Sequence, residues 1–199
     1  PLIFYLLTGY FRSEPDKLKT EGLFRITSAG SKMRELEAHL RAGNFCRLST
    51  LMNSYNDNHM VTNMIKRTLI NMKSPLIPYN LYHKFAELGN YEEGHDAQSS
   101  RTCVAGAEGS KTNPLQHAQI LVQFFQEVTS YVAYNKMTPE NISITVSQNI
   151  FRPKKRVTNE MSHVGYDAMI IMITEHEFIF EQASSRGGDG ESGEYDYTE

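Results

Sequence analysis

Residues 21–25 read Glu-Gly-Leu-Phe-Arg and place one arginine beside two large apolar residues. Leu23 and Phe24 could bury themselves in a short loop and so hold the side chain of Arg25 outward. A guanidinium is permanently charged and presents a rigid fork of donors, which suits it to stabilise charge on a phosphoryl group supplied by another molecule. An arginine in a loop is more often a solvated or ion-paired surface residue. The segment alone leaves both interpretations open.

The other residue types that commonly carry chemistry do not form a site with known spacing. Seven histidines are scattered without an HExxH pattern, and the two cysteines, Cys46 and Cys103, form no CxxC pair. We therefore expect no metal site. Residues 106–112 superficially resemble a phosphate-binding loop, but Ser110 separates the preceding glycine from Lys111, where GxxxxGK[ST] has the two adjacent. We expect a flexible loop there and no nucleotide site.

The composition predicts a globular, soluble protein. Hydrophobic residues make up 40% of the 199 residues and charged residues 22%, which excludes a wholly disordered chain. The longest apolar runs, 2–7 and 168–173, are far shorter than the roughly 20 residues that cross a bilayer. The low cysteine content fits a reducing cytoplasm.

The formal charge of −3 is concentrated in the acidic segment 184–199, so residues 1–183 are nearly neutral. A neutral body argues against general affinity for nucleic acid, which needs clustered cations. We interpret 1–183 as one domain cut from a longer protein, because the chain begins at Pro1 without a methionine or a signal peptide. The Gly- and Ser-rich residues 184–199 predict a disordered tail.

Apolar spacing predicts an all-α single domain of about six to eight helices. We expect helices over 2–11, 31–42, 57–72, 79–88, 114–133, 139–150 and 160–180. Ser31 and Asp57 are predicted N-caps, Thr138 is the N-cap before a proline, and Gly43 is the left-handed residue that ends a helix. Residues 89–113 lose apolar periodicity, which is typical of a long loop.

Four segments resemble, in order and spacing, the GTPase-activating domains for Rho-family GTPases, the RhoGAP family. Residues 21–25 (EGLFR) are similar to the EGIFR-type signature of that family. Residues 57–78 look like its DxHxVAxLLKxFLRxLPxPLIP helix and turn, residues 135–138 resemble its NKMT junction, and residues 149–150 resemble the end of its PNL segment. The resemblance covers residues 1–183, and four segments in register make it far more specific than any one of them.

The resemblance implies a helical bundle that stimulates GTP hydrolysis by a Rho- or Rac-family small GTPase in its GTP-bound state. Arg25 matches the arginine finger, the catalytic residue inserted in trans beside the γ-phosphate. Lys66 and Asn149 match positions that contact the partner GTPase. Their alternative interpretations are a solvated helix face and a helix-end hydrogen bond. GTP and Mg²⁺ would be bound by the partner, so the chain needs no cofactor of its own.

Three departures from the family pattern stand out: Ile70, Gln148, and Met72-Lys73-Ser74-Pro75 in place of its LPEP segment. The pattern has a second arginine, which supports the finger loop, where this chain has Ile70, and a proline where this chain has Gln148. Isoleucine cannot donate a hydrogen bond, so the loss of preorganisation should lower turnover more than binding. Three functions remain open: a GTPase-activating domain of reduced rate, a GTPase-binding module of the same fold with weak or no activation, and a structural or lipid-adhering helical domain, which only the cluster Lys154 to Arg156 supports.

Residues 152–156 form a basic run in which Lys154, Lys155 and Arg156 are consecutive. The simplest interpretation is solvated surface or the rim of the GTPase interface. Weak contact with an anionic membrane and a nuclear import signal are the alternatives. We expect a cytoplasmic location, with recruitment to membranes through the partner or through flanking domains.

Overall fold

A computed structural model of the protein describes residues 2–28, 30–79, 114–152 and 159–180, and within these ranges every regular element is helical. The elements are α1 (Leu2–Arg12), a 3₁₀ helix (Pro15–Lys19), α2 (Ser31–Arg41), α3 (Phe45–Tyr55), α4 (Asn58–Asn71), α5 (Pro114–Thr129), α6 (Val132–Asn135), α7 (Pro139–Ile150), α8 (Asn159–Thr174) and α9 (His176–Phe180). The predicted all-α class is confirmed.

The helix α5 is the central element of the described core. It packs against α1, α6, α7, α8 and α9, and the side chains of Leu121, Phe124, Phe125 and Val128 on it are fully buried. The helix α4 packs on the same core through α1 and α7, and it also contacts α2. Burial of these apolar faces is the main stabilising contribution to such a bundle.

Two predicted helix starts are confirmed in atomic detail. The Asp57 carboxylate accepts a hydrogen bond of 2.9 Å from the backbone N–H of Met60 and so caps α4. The Thr138 hydroxyl accepts from the backbone N–H of Asn141 at 3.2 Å, and Pro139 follows as the first residue of α7. In both cases a short polar side chain satisfies an N–H group that has no partner within the helix.

The start of α2 and the whole of α3 correct the sequence analysis. Gly30, and not Ser31, is the N-cap of α2, so that helix begins without a side-chain cap. No helix was predicted between 43 and 57, yet Phe45–Tyr55 forms α3, capped by Asn44 through the backbone N–H of Arg47 at 3.2 Å. The predicted left-handed residue Gly43 is confirmed, with φ of 69°.

Two predicted long helices each contain a break. Residues 114–133 form α5 and then α6, with the interruption at residues 130–131, and residues 160–180 form α8 and α9, with the interruption at Glu175. Almost all of the predicted helix 79–88, the loop 89–113 and the tail 184–199 lie outside the described residues and stay predictions. In the described ranges, no helix combines the length and the apolar character needed to cross a membrane.

Candidate functional site

The loop that carries Arg25 is held by two buried side chains, as predicted. Leu23 and Phe24 are both 0% exposed. The ring of Phe24 packs edge-on against Phe125 and Phe124 of α5, with centroid separations of 5.3 and 6.2 Å. The residue immediately before Arg25 is therefore built into the aromatic part of the core.

The backbone reverses direction within this loop. The N–H groups of Arg25 and Ile26 both donate to the carbonyl of Gly22 at 3.0 Å. Gly22 and Phe24 are left-handed, with φ of 74° and 66°. A non-glycine residue in this region costs about 1–2 kcal/mol, and the burial of the Phe24 ring offsets that cost.

The Arg25 guanidinium extends away from the core. Its side chain is 61% exposed, and Nη2 lies 3.9 Å from Oε1 of Glu21, whose side chain is 68% exposed. An ion pair this exposed contributes roughly 0–1 kcal/mol, because solvent screens both charges. The guanidinium is thus available to a molecule that approaches this face.

Lys66 bonds to the loop from α4. Its Nζ donates to the carbonyl oxygen of Phe24 at 2.6 Å. Partial burial lowers the pKa of Lys66, because desolvation disfavours the charged ammonium. The structure thus brings Lys66 to the residue that precedes Arg25, where a charge-assisted hydrogen bond fixes one side of the turn.

Two further residues of α4, missed by sequence reasoning, reach the same loop. The side-chain Nδ2 of Asn63 donates to the carbonyl of Ile26 at 3.0 Å, and the Thr62 hydroxyl accepts from the N–H of Phe24 at 3.4 Å. The signal was present in the sequence, since polar residues at 62, 63 and 66 share one face of a helix.

Both ends of the loop are also tied to the start of α4. Nδ2 of Asn58 donates to the Thr20 hydroxyl at 2.7 Å, and the Ser28 hydroxyl donates to the Asp57 carboxylate at 3.1 Å. Asp57 therefore both caps the helix and holds the end of the loop. The whole segment 20–28 lies along the first turns of α4.

Asn135 supports the loop from the opposite side. The backbone N–H of Gly22 donates to its carbonyl at 2.8 Å. Its fully buried side chain donates to the carbonyls of Leu18 and Val128 at 2.9 and 2.7 Å and accepts from the N–H of Met137 at 2.8 Å. The NKMT segment is therefore hydrogen-bonded to the 3₁₀ helix, to α5 and to the loop, and its Thr138 caps α7.

Asn149 and Gln148 lie in the last turn of α7, which packs against α4. Asn149 is partly buried and Gln148 is exposed. Within the ranges that the structure describes, no hydrogen bond joins Asn149 to Arg25 or Lys66. Ile70, another departure from the family pattern, is 51% exposed. The sequence analysis predicted Arg25, Lys66 and Asn149 as one site. Of the latter two, both in the described part of the chain, Lys66 is hydrogen-bonded to the loop that carries Arg25 and Asn149 is not.

Arg152, the first residue of the basic run, is not simply solvated surface. Its Nη1 and Nη2 donate to the carbonyls of Ile70 and Met72 at 2.9 and 2.6 Å. These carbonyls lie at the C-terminal end of α4, where the helix itself provides no partners. The predicted membrane-contact residues Lys154, Lys155 and Arg156 lie outside the described residues.

The described residues contain no candidate metal centre. No three His, Cys, Asp or Glu side chains among them lie close enough together to hold a metal ion. The expectation that this chain binds neither a metal ion nor a cofactor stays a prediction.

Comparisons with known proteins place the chain in a family. The model of the RhoGAP domain matches residues 1–155. Human Rho GTPase-activating protein 24 is 30% identical over 169 residues, which are 82% of this chain and 22% of that protein. Human Rho GTPase-activating protein 17 is 31% identical over 135 residues, 67% of this chain and 14% of that protein. The chain therefore spans less than a quarter of the length of either relative.

Solved structures share the fold. The BH domain from GRAF, the GTPase regulator associated with focal adhesion kinase, superposes with a TM-score of 0.70 at 19% identity, covering 90% of this chain and 93% of that one. Human Rho GTPase activating protein 15 gives a TM-score of 0.70 at 16% identity, covering 90% and 83%. With the family match over most of its length, the chain belongs to the RhoGAP domain family.

Proposed function

We propose that this domain stimulates GTP hydrolysis by a Rho-family small GTPase and that Arg25 is the arginine finger it supplies in trans. One observation carries the proposal: the exposed Arg25 guanidinium stands on a turn whose flanking residues, Phe24 and Ile26, are both bonded to α4. A surface arginine without a specific role does not need a backbone that is bonded to a helix on both sides.

The chemistry follows from that mounting. Negative charge spreads over the γ-phosphate oxygens during phosphoryl transfer, and a guanidinium placed there stabilises it. A group already fixed in position stabilises the transition state without reorganising at the moment of reaction. In this mechanism GTP and Mg²⁺ belong to the partner, and the domain contributes side chains only.

Lys66 and Asn149 are proposed as contacts with the partner GTPase. An ammonium has three N–H donors, and the Phe24 carbonyl takes one of those of Lys66. The remaining donors are suited to carbonyl or carboxylate groups on the GTPase. Asn149 offers an amide at the end of α7, the helix that packs beside α4.

A second candidate function, GTPase binding with little activation, is favoured by Ile70. This side chain is 51% exposed one helical turn after Lys66 on α4. An exposed isoleucine adds apolar contact area to an interface, but it donates nothing to the finger loop or to a phosphate. Such a surface supports binding more than it supports catalysis.

Single-turnover GTP hydrolysis by Rho-, Rac- and Ras-type GTPases, with and without this domain, tests the proposal. We expect stimulation of Rho- or Rac-type GTPases, and we expect Arg25→Ala to lower the stimulated rate by about 10³-fold or more. Arg34→Ala, which removes an exposed arginine of α2, is the matched control and should leave the rate unchanged.

The outcomes separate the two candidates. Stimulation that survives Arg25→Ala would show that Arg25 is not the finger. Tight binding to a GTPase loaded with GTP or with a transition-state mimic, without any stimulation by the parent domain, would establish the binding module instead.

A further inference from the structure

We propose that Asn63 is a positioning residue for Arg25, acting through the backbone of the loop and not by contact with the partner. The inference rests on the proposed function, since positioning matters only if Arg25 is the finger. It concerns a residue outside the predicted set of Arg25, Lys66 and Asn149.

The side chain of Asn63 has a fixed orientation. It is only 5% exposed. Its Nδ2 donates to the carbonyl of His59, one turn earlier in α4, at 2.8 Å and to the carbonyl of Ile26 at 3.0 Å. A side-chain amide has two N–H donors, and both are used. One bond ties the side chain to its own helix, and the other then presents a donor to the loop in a set direction.

Asn63 and Lys66 together hold the loop on both sides of Arg25. Lys66 bonds the carbonyl of Phe24, which belongs to the peptide before Arg25, and Asn63 bonds the carbonyl of Ile26, one residue after it. Without the bond from Asn63, α4 would hold residues 24–26 at Phe24 alone, through Lys66 and Thr62. Bonds from one helix on both sides of Arg25 restrain the position of its Cα atom and the direction of its Cα–Cβ bond.

The loop should stay folded without Asn63. A change in activity can therefore be assigned to the position of Arg25 and not to a loss of folding stability. Leu23 and Phe24 remain fully buried, and Gly22 remains bonded to Asn135. Losing the bond to Ile26 therefore loosens the second half of the turn, which is then held by the bonds of the Arg25 and Ile26 N–H groups to Gly22 and by the bond of Ser28 to Asp57. The effect should fall on the transition state, in which guanidinium placement matters most, and much less on docking.

The test replaces Asn63 with leucine, which has a similar volume and no donor. We expect Asn63→Leu to lower the maximal single-turnover rate by about 10-fold or more, as expected for a misplaced catalytic group. The Kd for a GTPase loaded with a non-hydrolysable GTP analogue should stay within about threefold of the parent value, because ground-state contacts are unchanged. Amide hydrogen exchange at Arg25 and Ile26 should become faster, since both N–H groups are protected by the turn.

Asn63→Ala is the second variant, because alanine is the best helix former and avoids any misfit of leucine. Asn53→Leu, an exposed substitution on α3, controls for general effects. Three results would overturn the inference: a parent-like rate in both Asn63 variants, a rate that falls only in proportion to binding, or faster exchange spread through all helices.

Failure of the proposed function gives a different pattern. If the parent domain stimulates no GTPase, the proposed function falls, and hydrogen exchange alone then decides the positioning role. Faster exchange confined to residues 25 and 26 in Asn63→Leu would support it. Unchanged exchange there would contradict it.

Discussion

The two ends of α4 are bonded to the rest of the domain in different ways. Along its first turns, side chains of the helix bond the loop: Asn58, Asn63 and Lys66 donate hydrogen bonds to the segment 20–28, and Thr62 accepts one from it. At its last turn the helix accepts, because the carbonyls of Ile70 and Met72 receive the guanidinium of Arg152.

The difference shows where the support of Arg25 comes from in this chain. The family pattern expects a second arginine at the position of Ile70, at the accepting end of α4. Here the carbonyls at that end accept hydrogen bonds from Arg152. The side chains that bond the loop lie nearer the start of the helix. Backbone bonds of this kind constrain the loop through its main chain, so they act whatever side chain stands at residue 25.

The largest expected effect is a loss of stability when Arg152 no longer bonds the C-terminal end of α4. Arg152→Met removes two charge-assisted bonds and a cation at the C-terminal end of α4, and we expect the free energy of unfolding to fall by about 1–2 kcal/mol. Urea denaturation followed by circular dichroism measures it.

Arg41→Met is the matched control, because Arg41 also stands at a helix C-terminus but is 72% exposed and lies 3.9 Å from Glu37. That variant should lose no more than about 0.5 kcal/mol. Equal losses in the two variants would contradict a capping role for Arg152.

A smaller effect is expected when the accepting end is given a donor. Ile70→Arg places an arginine four residues, about 6 Å along the helix axis, beyond Lys66 on the same face of α4. We expect the single-turnover rate to rise by up to about tenfold, since added preorganisation acts on the transition state. Binding of a GTP-analogue-loaded GTPase should change little.

Two control variants show whether the charge of the new arginine and the presence of Arg25 are both needed for the gain in rate. Ile70→Gln adds polarity without charge and should give little of the gain. Ile70→Arg in the Arg25→Ala background should also give little, because a support has nothing to support once the finger is gone. A full gain in that background would instead mean that the new arginine acts on the phosphate directly.

Local features of the fold were predictable, and distant partnerships were not. Asp57 and Thr138 cap helices through groups only three residues away, so sequence spacing was sufficient. The helix α3 carried a comparable signal, with Asn44 as its cap and apolar residues at helical spacing, and it was missed although nothing distant obscured it.

The site was predictable in part. Leu23, Phe24 and the outward Arg25 followed from residue types, because large apolar residues beside an arginine separate into core and solvent. The bonds of Arg152 to Ile70 and Met72 join residues 80 or more positions apart, and no local pattern encodes them. The proposed roles of Arg25, Lys66 and Asn149 toward a GTPase stay predictions.

The smallest expected effect is a difference in pKa between Lys66, on the face of α4 that bonds the loop, and Lys19, on the exposed surface. Burial lowers the pKa of Lys66 below its ordinary value of 10.5, whereas the hydrogen bond to Asp16 raises the pKa of Lys19 above it. NMR of the lysine side-chain ε-carbons as a function of pH should therefore show Lys66 titrating below 10.5 and Lys19 above it. Lys66→Met identifies the first signal.

The lowered pKa of Lys66 makes the free energy of unfolding depend on pH. Between the lowered pKa of Lys66 and 10.5, the unfolded chain binds more protons than the folded one, so this group makes the domain more stable as pH rises through that window. The bond to the Phe24 carbonyl loses its charge in the same window, so its hold on the loop weakens while the burial cost is relieved. Titration of Lys66 at or above 10.5 would mean that desolvation does not outweigh the hydrogen bond to the Phe24 carbonyl, which favours the charged ammonium.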